Sequence, residues 1–112
     1  MAYNEALAHR IREFFEDFDC VEEKKMMGGL VFMVNDKMCV GVIGDDLMCR
    51  VDPDSQNSLL ELTGCRMMDM GGKLMRGFLA IDETGMRTTK SFRFWIEQAL
   101  QFNPKAKKAK GR

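Results

Sequence analysis

The chain has 112 residues, 46% of them hydrophobic and 30% charged, which suits one domain with a real core and leaves no room for a second. No apolar run approaches the ~18 residues that a membrane span needs, and the polar start from Met1 to Glu5 carries no secretory signal, so a cytoplasmic protein without membrane association is expected. The formal net charge is zero but unevenly placed: Lys105, Lys107, Lys108, Lys110 and Arg112 crowd the last ten residues, and residues 1–102 carry 12 basic against 17 acidic side chains, about −5.

Leu7, Ile11, Phe14, Phe15 and Phe18 fall on one face of a helix, with Asn4 as its cap. The pattern then changes to strands. Leu30–Val34 is short, apolar and rich in β-formers, Asn35-Asp36 is a two-residue turn, and Met38–Ile43 returns. Gly44-Asp45-Asp46 is a second turn and Leu47–Val51 a third strand, giving an antiparallel meander. Asp52-Pro53 starts a short helix that ends near Gly64, since Asp caps and Pro fits the first helical position. Arg66 to Gly72 reads as loop or edge strand, Gly71-Gly72 as a turn, and Leu74–Ile81 as a further strand. Thr88 or Thr89 caps a last helix bearing Phe92, Trp95, Ile96, Ala99 and Leu100, and Asn103-Pro104 stops it. A folded domain over residues 1–102 and a basic tail without an apolar face over 103–112 are expected.

The turn at Asn35-Asp36 sets Met33 against Met38 and Phe32 against Cys39. One face of the hairpin then carries Val31, Met33, Met38, Val40 and Val42, and the other Leu30, Phe32, Val34, Cys39 and Ile43. Both faces are apolar, whereas a sheet with one wet face alternates. Helices cover one; a second copy, making a homodimer, or an unidentified protein partner is expected on the other. Eleven methionines, many in the sheet, suit either adaptable core filling or a soft docking surface.

Candidate chemistry is sparse. Cys20, Cys39, Cys49 and Cys65 are widely spaced with no Cys-x-x-Cys, which points to free, buried thiols and no metal or cofactor. His9 sits off the apolar stripe of its helix, without the orienting partner a catalytic base needs. Asp45-Asp46 reads as turn residues rather than an acid–base pair. Gly28-Gly29 precedes a strand, not a helix, so it permits a bulge or a close backbone approach instead of cradling phosphate. The tail cations Lys105, Lys107, Lys108, Lys110 and Arg112 offer weak, salt-sensitive attraction to nucleic acid, without interleaved aromatics for stacking.

Lys25-Met26-Met27-Gly28-Gly29-Leu30-Val31-Phe32-Met33, Gly41 to Val51, Met68-Asp69-Met70-Gly71-Gly72-Lys73-Leu74-Met75-Arg76-Gly77-Phe78 and the closing Phe94-Trp95-Ile96 helix stand in a familiar order. Together they resemble the N-terminal domain of the TfoX/Sxy family of bacterial competence regulators, over most of residues 5–102. The family's glycine motif commonly reads Met-Phe-Gly-Gly, and Met27 stands in its second position here. The resemblance implies an α+β fold with a central antiparallel sheet and N-terminal and C-terminal flanking helices, similar to secretion chaperones. It makes Gly28, Gly29, Gly71, Gly72 and Gly77 candidate structural positions, and it implies a link to transcriptional control of DNA uptake in full-length members, which carry a second domain. It brings no catalytic residues.

The sequence thus reads as a non-enzymatic regulatory or protein-interaction module. The alternative is an accessory, non-specific nucleic-acid binder acting through the tail. A third class is a cysteine-based redox sensor using Cys39 or Cys49.

Overall fold

The computed structural model describes residues 3–106, with Met70 through its backbone alone; the tail cations Lys107, Lys108, Lys110 and Arg112 lie outside the described residues. The elements run α1 (Glu5–Phe14), β1 (Val21–Met26), β2 (Gly29–Val34), β3 (Lys37–Ile43), β4 (Asp46–Arg50), a 3-10 turn (Pro53–Ser55) leading into α2 (Gln56–Leu59), β5 (Cys65–Met70), β6 (Lys73–Ile81), a 3-10 turn (Glu83–Gly85), α3 (Thr89–Phe102) and a last turn (Asn103–Lys105). All six strands join one antiparallel sheet in the order β1-β2-β3-β4-β6-β5. The expected α+β architecture is therefore the observed one.

Local chemistry sets the element ends. Asn4 accepts from the Leu7 N–H at 3.1 Å and so caps α1. Thr88 and Ser91 cap α3 reciprocally, each side chain accepting from the other's backbone N–H. The expected α1 stripe overshoots, because the helix stops at Phe14 and leaves Phe18 41% exposed, edge-on to the Phe15 ring at 5.0 Å. β1 was not legible as a strand: its sequence, VEEKKM, is exposed at four central positions, as suits a charged sheet edge. Its hairpin turn uses Met27 and Gly28, both at positive φ.

The β2–β3 register corrects the expected faces. Met33 does pair with Met38, but Phe32 pairs with Val40, so Cys39 is the extra residue of a bulge. Beyond the bulge every side chain changes side. Val40 and Val42 join Leu30, Phe32 and Val34 in the main core, and Ile43 moves across to Val31, Met33 and Met38.

That main core fills the space between one sheet face and the helices: Leu7 and Ile11 from α1 and Phe92, Trp95, Ile96 and Ala99 from α3 pack onto it. Each fully buried large apolar side chain contributes about 1.5–3 kcal/mol. On the other sheet face Val31, Met33, Met48 and Met68 form a second cluster, flanked by Met26, Met27, Met38, Ile43 and Phe78. The four central residues are at most 4% exposed within a single chain, and the partly buried residues around them form the outer surface of this face.

Of the candidate glycines, Gly28 and the Gly71-Gly72 pair occupy hairpin turns. A Cβ on Gly29 would lie 2.0 Å from the Val42 carbonyl oxygen, the close backbone approach expected of it. Gly77 sits at φ +84 inside β6, where the pairing with β5 slips. Its N–H donates to Gln56 Oε1 at 2.6 Å and its carbonyl accepts from the Val51 N–H at 2.8 Å, which ties α2 and the end of β4 to β6.

The ordered chain continues past Phe102. Asn103, 3% exposed, donates to the Val34 carbonyl at 3.1 Å and accepts from Asn35 Nδ2 at 3.3 Å. Lys37 Nζ donates to the carbonyls of Asn103 and Pro104 at 3.1 and 3.2 Å. These bonds fasten the C-terminal turn to the β2–β3 hairpin.

Candidate functional site

The chain leading into β5 and the turn that follows β6 interlock through two glycines. A Cβ on Gly64 would lie 2.6 Å from the Gly85 nitrogen, and one on Gly85 2.5 Å from the Thr63 oxygen. The Asp82 N–H donates to the Gly64 carbonyl at 2.8 Å, and Asp82 Oδ1 accepts from the Thr84 N–H at 2.9 Å. The Thr84 hydroxyl also donates to Asp82 and, as the largest cause, holds its carboxyl below the ordinary value. The turn is thereby fixed, and its Gly85 carbonyl accepts from the Trp95 indole N–H at 3.1 Å.

That bond anchors a 2%-exposed Trp95 whose neighbour Phe94 meets it edge-on at 5.2 Å and 79°. Together with Leu62, which is 43% exposed, they form the apolar part of a groove of about 410 Å³, with Thr84 and Lys90 also lining it. The groove can accept an apolar side chain, and the hydroxyls and Lys90 at its rim can hydrogen-bond the backbone that carries it; no acid–base pair lines it. Sequence reading missed it. Leu62 follows the short helix as a single apolar residue in Glu61-Leu62-Thr63-Gly64, and Phe94 lies beside the apolar stripe of α3, so neither gives a periodic signal.

The residues singled out from sequence do not converge. His9 is 69% exposed at its side chain, 3.5 Å from Glu13 on its own helix. Asp45 accepts from Asn4 Nδ2 at 3.2 Å, and Asp46 pairs with Arg66, so the two acids serve the turn and an ion pair. Of the domain cations, Lys24 and Lys25 on β1 are separated along the sheet from Lys73 and Arg76 on β6 by β2, β3 and β4. Lys105, the one described tail cation, closes the last turn. No three His, Cys, Asp or Glu side chains among the described residues come together as a metal site.

The four cysteines are free, but only Cys39 and Cys49 are buried; Cys20 is exposed and Cys65 half-buried, which corrects the expectation of four buried thiols. β3 and β4 join through the two-residue turn Gly44-Asp45, with Ile43 pairing Asp46 and Val40 pairing Cys49, and the bulge sets Cys39 beside Val40, so both thiols lie in the main core. Burial pushes Cys39 up to about 12 and Cys49 well above its ordinary value, and Cys49 Sγ donates to the Trp95 carbonyl at 3.5 Å. Half-burial takes Cys65 to about 11. An activated thiol needs the opposite shift; Cys39 and Cys49 are buried core residues.

The architecture defines an α+β domain with a six-stranded antiparallel sheet, helices on one face and one apolar groove at the start of its last helix. The family described as TfoX N-terminal domain matches residues 13–103, and the chain belongs to that family. No curated protein and no solved structure matches it. Among the described residues no helix is long and apolar enough to cross a membrane.

Proposed function

We propose that the chain is a non-enzymatic regulatory module that binds a protein partner through the Leu62–Phe94–Trp95 groove. Its setting is the transcriptional control of competence with which its family is associated. The observation that carries this reading is the groove itself: a fixed apolar recess with a large apolar side chain standing exposed at its edge. The suppressed thiols and the scattered acids and cations support a binding role over chemistry. The test is capture of the partner in the native host by a photo-crosslinker placed at residue 90, with and without Leu62→Asp. The substitution is expected to abolish capture and leave thermal unfolding within a degree or two, since Leu62 is at the surface. Capture that survives both Leu62→Asp and Phe94→Ser overturns the reading.

A second reading, weak and sequence-blind attraction to nucleic acid, rests on the five cations after Phe102 in a stretch without a single acid. It adds to the first reading and does not compete with it for the groove.

A further inference from the structure

α1 and α3 meet through two reciprocal stacks. The guanidinium of Arg10 on α1 lies 4.1 Å from the ring centroid of Phe92 on α3, and that of Arg93 on α3 lies 4.8 Å from the centroid of Phe14 on α1. Both cations and both rings, with Glu13 and Thr89, line one cleft of about 200 Å³. Among the described residues neither guanidinium forms an ion pair. Arg10 donates only to the Met86 carbonyl, at 3.4 and 3.3 Å, and Arg93 has its stack alone. Glu13 stands 3.5 Å from His9, with both side chains largely exposed, so its carboxylate keeps acceptor capacity toward the cleft.

Two like charges sharing a cleft repel, and each guanidinium offers five N–H donors in a rigid fork suited to phosphate. Because each head already rests on a ring, an arriving anion has little side-chain freedom left to freeze. A dianion with three terminal oxygens carries acceptors enough for both forks, whereas a single carboxylate satisfies one. The cleft is smaller than the roughly 300–1,000 Å³ of sites for drug-sized ligands, so the ligand is small. The Glu13 carboxylate in the same cleft opposes a bare anion but accepts from a hydroxyl beside one.

We propose that this cleft binds a small phosphate monoester with a hydroxylated body: Arg10 and Arg93 take the phosphate oxygens, and Glu13 accepts from a ligand hydroxyl. Sugar phosphates have this chemistry. The site does not depend on the groove described above.

The test is an NMR titration of the full chain with glucose 6-phosphate, inorganic phosphate and glucose as probes. Glucose 6-phosphate is expected to shift amides around Arg10 and Arg93 saturably, inorganic phosphate more weakly, and glucose not at all. Arg93→Gln is expected to weaken glucose 6-phosphate about tenfold, the effect of one lost charged hydrogen bond. Arg93→Lys, which keeps the charge and loses the fork, should fall between. Glu13→Ala, which removes the acceptor, is expected to erase the preference for the sugar phosphate over inorganic phosphate. A purely structural clamp predicts instead that Arg93→Gln lowers stability with no saturable ligand. No saturable shift with either phosphate at millimolar concentration, or undiminished affinity in Arg93→Gln, overturns the site; equal affinity for the two phosphates overturns the part assigned to Glu13.

Discussion

Cys39 shows how one side chain's surroundings set a measurable property. Its thiol is held protonated up to about 12, against an ordinary value of 9.0, by burial. A group whose value is raised on folding stabilises the fold fully below the unfolded value, and that contribution is lost as pH climbs through the folded one. Unfolding experiments should therefore show stability falling between pH 9 and 12, by up to about 1.4 kcal/mol per pH unit from this thiol, with a shallower fall in Cys39→Ala. Thiol labelling at neutral pH should proceed in order of access: Cys20 first, Cys65 later, and Cys39 and Cys49 only on unfolding. Four fast thiols in the native protein would refute the burial described above. A second expectation belongs to Gly77, held at φ +84 with Pro53 Cγ 3.3 Å from where a Cβ would stand. Gly77→Ala is expected to cost about 1–3 kcal/mol in urea unfolding, since a side chain there is strained and crowds Pro53. The sequence named Gly77 without saying why, because its φ follows from the slip between β5 and β6, a contact between distant segments.

Among the elements, those with an apolar period were legible and those without one were not. α3 and the strands β2, β3, β4 and β6 carry enough buried side chains to announce themselves. β1 does not, being charged along its length, and its sign lay in the turn after it. The meander's face assignment failed at a single residue: the bulge at Cys39 inverts Val40, Val42 and Ile43, and no local propensity marks it. The same lack of periodicity hid Leu62 and the reciprocal arginine stacks, which exist only once α1 and α3 are side by side. The second cluster gives a test at this scale. Met48, 0% exposed at its centre, should cost about 2–5 kcal/mol when replaced by alanine. Met38→Ala, on a partly buried flank of the cluster, should cost less. Equal losses would mean that the methionine face is not a packed core in solution.

For the molecule as a whole, the methionine face and the groove beside α3 are two separate apolar surfaces; a homodimer through the methionine face would show as a mass of two chains in light scattering at high micromolar concentration, and a monomer mass would leave the groove as the docking surface. The charge asymmetry remains. The tail's five cations neutralise at most about five phosphates, so affinity for duplex DNA should fall with salt at a log–log slope no steeper than about −4.5, without preference among sequences. Because Asn103 is buried, the informative truncation ends at Ala106. It removes Lys107, Lys108, Lys110 and Arg112 and should abolish binding without loosening the fold. Sequence-selective binding by the truncated domain would overturn that reading. The bonds from Asn35, Lys37 and Val34 to the final turn have a further consequence for anything built onto this chain. Lys105 therefore stands exposed on a fixed post beside the β2–β3 hairpin, not on a frayed helix end. A dye attached at residue 105 will sample a limited cone around that hairpin, making that position a usable fiducial for distance measurements to the groove.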